Sequence, residues 1–256
     1  MNHYDTDENK EKFEEPPLED FLPNEEDEWL REKQKKRNII VKRTISVGVA
    51  IALIVSLLQI WPQVFNLSSI NFLQKSAELS KQEDIQAYKE AVVTVHNQYS
   101  KGTGFNISEN GLIITNHHVV DNMYPITVTF SNGDIFQATI LQLYPDIDLA
   151  FLQINGEQLP ALPLGQPNTW AASDQIYVIG NPLLHNQIAI DGVILEGSEK
   201  NGVLMLSSPI YNGNSGSPVI NLEGNVIGVV FAISTKDQIG LAIPIEKVLE
   251  KLPEGY

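Results

Sequence analysis

Polar and apolar positions change rhythm twice along this 256-residue chain. Residues 1–30 are polar almost throughout, with Pro16, Pro17 and Pro23 and few aliphatic side chains. Such a stretch buries too little apolar surface to offset its ordering entropy, and disorder is expected. At Thr44 the texture turns continuously apolar: Thr44–Trp61 (TISVGVAIALIVSLLQIW) holds eighteen residues without a charge. As a helix rising about 1.5 Å per residue it covers about 27 Å, close to the ~30 Å hydrocarbon core of a bilayer. From Ser68 to Glu90 there is neither proline nor glycine, and the spacing predicts a short connecting helix. From Ala91 to Pro244 short β-branched runs succeed one another (AVVTVH, GLIIT, ITVTF, DLAFLQI, QIYVIG, VLMLS, PVI, VIGVVF), parted by Gly, Asn, Pro and Asp. That is the pattern of an all-β sandwich or barrel. Ile245–Leu252 reads as a terminal helix. The predicted organisation is a disordered tail over 1–38, a transmembrane helix over 39–65, a helical connector over 66–88 and an all-β domain over 89–256.

Charge orients this arrangement. The net charge is −15. Twelve acidic side chains and two lysines give residues 1–30 a charge of −10, and seven basic residues against Glu32 give residues 31–43 a charge of +6. The remainder carries −11, which repels phosphate backbones and argues against nucleic acid as a partner. Lys33, Lys35, Lys36, Arg37, Lys42 and Arg43 lie on the N-terminal side of the apolar run, and no Lys or Arg comes after it until Lys75. The positive-inside rule then predicts a single-pass cell-membrane protein whose N-terminus is cytoplasmic and whose β domain is extracytoplasmic. Residues 44–61 contact lipid in this reading, and Trp61 is its interfacial aromatic. About forty polar residues precede the run and no A-x-A site succeeds it, so an uncleaved anchor is expected. The absence of cysteine excludes thiol catalysis, Cys-ligated zinc and disulfides.

Three segments of the β domain carry candidate chemistry. Thr115–Val120 (TNHHVV) ends a strand-like run with two histidines, and an imidazole there suits a general base working near neutrality. Asp146–Leu152 (DIDLAFL) leads an acidic residue into an apolar strand, where a part-buried carboxylate can hold an imidazole in one tautomer. Gly213–Pro218 (GNSGSP) sets a serine between glycines, whose backbone freedom permits a tight turn with converging N–H groups. Taken singly each has an ordinary structural explanation. Their conjunction, in the order His, Asp, Ser within an all-β domain, points to nucleophilic catalysis.

Together with GTGF at 102–105 and GLAIP at 240–244, these motifs resemble the HtrA (Deg) family of trypsin-like serine proteases over about residues 85–250. The resemblance implies a chymotrypsin-like double six-stranded β-barrel with His118 as base, Asp148 as orienting carboxylate and Ser215 as nucleophile. It also implies an oxyanion hole from the Gly213 and Ser215 backbone N–H groups, and a supporting turn at Gly180-Asn181-Pro182. No metal or organic cofactor enters such chemistry. The substrates implied are extracytoplasmic proteins or peptides, in quality control or processing. Two departures stand out. Ser217 occupies a position that is Gly in many members, and the sequence ends at Tyr256 without a peptide-binding PDZ module. The second departure weakens the expectation of a trimer and leaves self-association open. In this fold the residue six before the nucleophile, here Pro209, sits at the base of the primary pocket. With Ile210, Val230 and Ala232 it predicts an uncharged pocket and cleavage after small or medium aliphatic residues. The main alternative is a catalytically silent, protease-like binding or sensor module tethered to the membrane. A second alternative keeps the fold but acts on esters or on one dedicated partner.

Overall fold

The computed structural model describes residues 25–64, 67–182, 185–198, 202–234 and 239–255. They divide into two compact units, one up to Asn66 and one from Leu67 onward.

The first unit is described as a single helix, α1 (Glu25–Val64). Residues 1–24 of the expected disordered tail, and the side chain of Trp61, lie outside the described residues. The helix starts well before residue 38, where the expected tail ended. The segment WLREKQKKR consists almost wholly of strong helix formers. Glu32 pairs with Lys36 one turn on at 3.3 Å, and the Lys33 ammonium stands 4.5 Å from the centre of the Trp29 ring. Ile45, Val47, Val49, Ile51, Leu53 and Ile54 are all exposed. The helix is thus long and apolar enough to cross a membrane or to act as a secretion signal.

The second unit opens with α2 (Leu67–Leu79) and α3 (Glu83–Ala91), two helices where the sequence predicts one. After them come β1 (Val92–His96), β2 (Lys101–Asn106), β3 (Leu112–Thr115), α4 (His117–Val120), β4 (Ile126–Thr129), β5 (Ile135–Tyr144) and β6 (Leu149–Ile154). These six strands form a closed barrel in the order β1-β2-β3-β6-β5-β4. The chain continues with β7 (Gln175–Gly180), β8 (Ile188–Val193), β9 (Leu204–Leu206), β10 (Pro218–Asn221), β11 (Val226–Ser234), β12 (Ile239–Pro244) and the short helix α5 (Ile245–Leu249). Their sheet runs β8-β7-β10-β11-β12-β9. Its ends meet through an antiparallel bridge between Ile194 and Leu206, where the Leu195 N–H donates to Met205 O at 2.7 Å and the Ser207 N–H to Val193 O at 3.0 Å. The fold is therefore two six-stranded barrels, as the resemblance implies.

Side-chain alternation explains why the strands are apolar on both faces. Val93 and Val95 of β1, Ile113 of β3, and Ala150 and Leu152 of β6 fill the first barrel. Their neighbours Val92, Leu112, Ile114, Leu149 and Phe151 turn the other way and pack with Ile179, Ile220, Val229 and Ile243 of the second sheet. The interface between barrels is thus a continuous core. The connector belongs to this unit: Ser76 Oγ of α2 accepts the Ala189 N–H of β8 at 3.0 Å, and Lys75 Nζ lies 2.7 Å from Asp191 Oδ1.

Candidate active site

Asn116 stands in extended conformation at the start of α4, a single turn whose Val119 and Val120 are buried in the first barrel. Those anchors leave His118 facing outward, its side chain about half exposed at 49%. Pairing of β3 with β6 sets Thr115 opposite Ala150, which brings Asp148 to the same end of the barrel. A 3-10 turn, Pro145–Ile147, delivers Asp148 with φ 55° and ψ 44°. In this left-handed conformation, which Asp tolerates better than most residues, the carboxylate meets His118 twice. Asp148 Oδ2 lies 2.6 Å from His118 Nδ1, and Oδ1 accepts the His118 backbone N–H at 2.9 Å. Asn116 Nδ2 donates to the Asp148 carbonyl at 2.9 Å and ties the two segments together. Because a carboxylate only accepts, Nδ1 is the donor in that bond, which in a neutral ring leaves the lone pair on Nε2.

The serine turn is strung between the two barrels. The Ser215 carbonyl accepts the Thr103 N–H of β2 at 2.9 Å, while the Gly216 N–H donates to Val230 O of β11 at 2.8 Å. Thr103 Oγ1 donates to Gly213 O at 2.6 Å, and Thr115 Oγ1 donates to Thr103 O at 2.6 Å. The turn is thus held to β2, which Thr115 ties to the end of β3, three residues before His118. Gly216 has φ +85°, and a Cβ there would lie 2.0 Å from Thr103 O, so both conformation and space require glycine. Gly213 has φ +99°. Among the described residues neither the Gly213 N–H nor the Ser215 N–H has a hydrogen-bond partner. Ser215 is half-buried. Among the described residues the His118 ring is bonded to Asp148 only, and no hydrogen bond joins it to Ser215 Oγ.

Beneath the turn lies a polar floor. Asn214 and Ser217 are fully buried, and neither side chain has a hydrogen-bond partner among the described residues. Both face the glycine of the Gly180-Asn181-Pro182 turn, where a Cβ would come within 2.1 Å of Ser217 Oγ and 2.6 Å of Asn214 Oδ1. The Asn181 N–H donates to Thr103 Oγ1 at 2.9 Å, and its side chain to Val93 O at 3.0 Å. Of the four expected pocket residues, Ile210 and Val230 lie in the core of the second barrel, Pro209 is exposed and Ala232 is half-buried. Thr103 and Asn116 hold the site together, yet the sequence pattern alone assigns neither a role. The one signal was a hydroxyl between two glycines in GTGF, in a strand otherwise apolar.

Similarity to known proteins falls on the same segments. The family described as "Trypsin-like peptidase domain" matches residues 102–229. The chain is 35% identical over 166 residues to a probable periplasmic serine endoprotease DegP-like of Chlamydia trachomatis, covering 59% of this chain and 33% of that protein. It is also 35% identical over 166 residues to serine protease HTRA4 of Homo sapiens, covering 60% and 35%. Among solved structures, the serine endoprotease from Yersinia pestis matches with a TM-score of 0.61 and 31% identity, over 65% of this chain and 63% of that one. The chain spans about a third of the length of the curated relatives it matches.

Proposed function

The chain belongs to the trypsin-like peptidase domain family, and from that premise we propose that it is a serine endopeptidase acting through His118, Asp148 and Ser215. The observation that carries this reading is the pair of hydrogen bonds that the Asp148 carboxylate accepts from His118, beside a serine turn fastened to β2, the strand that Thr115 ties to the one leading into that histidine. In the reaction His118 Nε2 takes the proton of Ser215 Oγ as the oxygen attacks a peptide carbonyl. Asp148 holds the ring and stabilises the imidazolium that forms. The free N–H groups of Gly213 and Ser215 donate to the developing oxyanion. His118 then protonates the leaving amine, and water releases the acyl group. The absent His118–Ser215 bond is read as a resting arrangement, since such bonds often tighten only when substrate arrives.

Pro209 and Ala232, the two members of the expected set that are not buried in the barrel core, carry no charge, which favours aliphatic residues on the acyl side of the scissile bond. The exposed apolar stretch of α1 anchors the chain in a membrane, with the basic cluster of residues 33–43 on the cytoplasmic side and the barrels outside. The substrates are then extracytoplasmic proteins, in quality control or processing.

The test is hydrolysis of casein and of a quenched peptide library by the full chain in detergent, against its Ser215→Ala variant. Turnover that vanishes in the variant, with fluorophosphonate labelling of the parent alone, supports the assignment. Peptide binding by both proteins without turnover by either would establish the silent binding module instead.

A further inference from the structure

One cation of β2, the strand that holds the serine turn, has no counter-charge among the described residues. Lys101 begins β2, two residues before Thr103, and side chains two apart on a strand share a face. Thr103 sends its hydroxyl to Gly213 O. Lys101 sends its ammonium along the same flank to the β7–β8 hairpin, donating to Asn186 Oδ1 at 2.6 Å and to His185 O at 3.4 Å. Among the described residues no carboxylate lies within ion-pair distance of it. Partial desolvation lowers its pKa from the ordinary lysine value. An ammonium held by two neutral oxygens in a body otherwise strongly acidic is a positive spot ready for an anion.

Its placement says which part of a substrate would meet it. The serine turn touches β11 on one side, through Gly216 and Val230, and β2 on the other, through Ser215 and Thr103. The uncharged residues Val230 and Ala232 belong to the β11 side. A peptide whose carbonyl faces the Gly213 and Ser215 amides, and whose acyl half lies over β11, directs its amine half across β2 toward Lys101. We infer that Lys101, held by Asn186, forms a cationic subsite that selects an Asp or Glu side chain within the first two residues on the leaving-group side of the scissile bond. This rests on the endopeptidase reading and deepens it. The uncharged pocket selects the last residue of the acyl half, and Lys101 selects an acidic side chain in the amine half.

Two measurements on the full chain separate the subsite from the reaction. In the first, quenched peptides differing only in Asp versus Asn, or Glu versus Gln, at the first or at the second leaving-group position are compared by kcat/KM. The wild type is expected to favour the acid about fivefold at low ionic strength, as for a partly shielded ion pair, with the ratio shrinking as salt rises. Lys101→Met should bring the ratio to about one, and Lys101→Glu should invert it, by the same charge-pair reasoning. In the second, the Ser215→Ala variant is titrated with the same peptide pairs, and the same preference is expected in Kd and should vanish on adding Lys101→Met. Turnover with equal kcat/KM for acid and amide overturns the subsite and leaves the endopeptidase standing. Discrimination in Kd without turnover by the wild type upholds the subsite and removes the endopeptidase. Equal binding of the paired peptides also overturns the subsite.

Discussion

Thr103 holds the Gly213 carbonyl with its hydroxyl at 2.6 Å, and in doing so fixes the residue whose N–H faces the proposed oxyanion. The same Oγ1 accepts the Asn181 N–H at 2.9 Å, and Thr103 is fully buried. One hydroxyl therefore joins β2, the serine turn and the turn after β7. Thr103→Val keeps the shape and removes the hydroxyl, leaving a part-buried carbonyl and a buried N–H unpaired. The expected loss is about 1–3 kcal/mol of stability, read from the denaturant midpoint. A fall in kcat larger than any rise in KM is also expected, because the oxyanion donor loses its support. Thr103→Ser should recover most of both.

Asp148→Asn tests the orientation of the imidazole with little disturbance of the backbone, since Asn accepts the left-handed φ of 55° as readily as Asp. If the Asn carbonyl takes the His118 backbone N–H, its amide group faces Nδ1 as a donor. The ring must then carry its proton on Nε2 and has no lone pair for Ser215. A loss of about 10⁴ in kcat is expected, by analogy with the same change in other Ser-His-Asp enzymes. The melting temperature should move by only a few degrees, as for a loss of about 1 kcal/mol. A variant retaining most of its activity would count against His118 as the base.

Two glycines with nearly the same φ should respond very differently to alanine. Gly133 (φ +93°) has open space where a Cβ would go, whereas at Gly216 (φ +85°) that atom would lie 2.0 Å from Thr103 O. Gly133→Ala carries only the conformational cost, about 1–2 kcal/mol. Gly216→Ala adds a clash with backbone that cannot give way without moving β2, and a loss above about 4 kcal/mol is expected. Urea midpoints of the two variants, side by side, measure the difference.

The barrels were readable because most strands are buried on both faces and stand out as short apolar runs. Four strands escaped that reading: β2 and β12, which entered only as the GTGF and GLAIP motifs, and β5 and β8. Residues 135–144 of β5 mix exposed and half-buried positions, and a bulge between Ile140 and Gln142 shifts the phase of alternation midway. Strand β8 contains Asp191 and Gly192, which read as turn residues. His118, Asp148 and Ser215 stood out as candidates because three motifs, each ordinary alone, fall in the order His, Asp, Ser within one all-β domain. Thr103 was not, since a threonine in a strand is ordinary and its importance comes from contacts with residues 78 and 110 positions away. The helical start at Glu25 was missed for a related reason: high charge suggested disorder, while local helix propensity and i,i+4 pairs favoured α1.

Lys89 should make stability depend on pH, because it is buried at 8% exposure and donates to Ser80 Oγ with no carboxylate in reach among the described residues. Desolvation lowers its pKa below the ordinary lysine value of 10.5. The unfolded chain therefore holds this proton to higher pH than the folded one. Between the two pKa values the unfolded state binds more protons, so this group makes stability rise with pH and penalises the fold below that window. Its neighbour Tyr88 has the opposite sign: burial raises its pKa above 10.0, with smaller contributions from Asp84, Tyr177 and Glu223, so the unfolded chain gives up this proton first and stability falls as pH climbs past the unfolded value. Lys89→Met should accordingly be more stable than wild type at pH 7, with the advantage narrowing as pH approaches 10.5. Tyr88→Phe should leave neutral stability nearly unchanged and remove the alkaline decline. Urea denaturation of the full chain from about pH 7 to about pH 11, a range bracketing both unfolded values, distinguishes the two. A Lys89→Met advantage that stayed constant across that range would mean the lysine is held charged by a partner, and that its burial does not govern its titration.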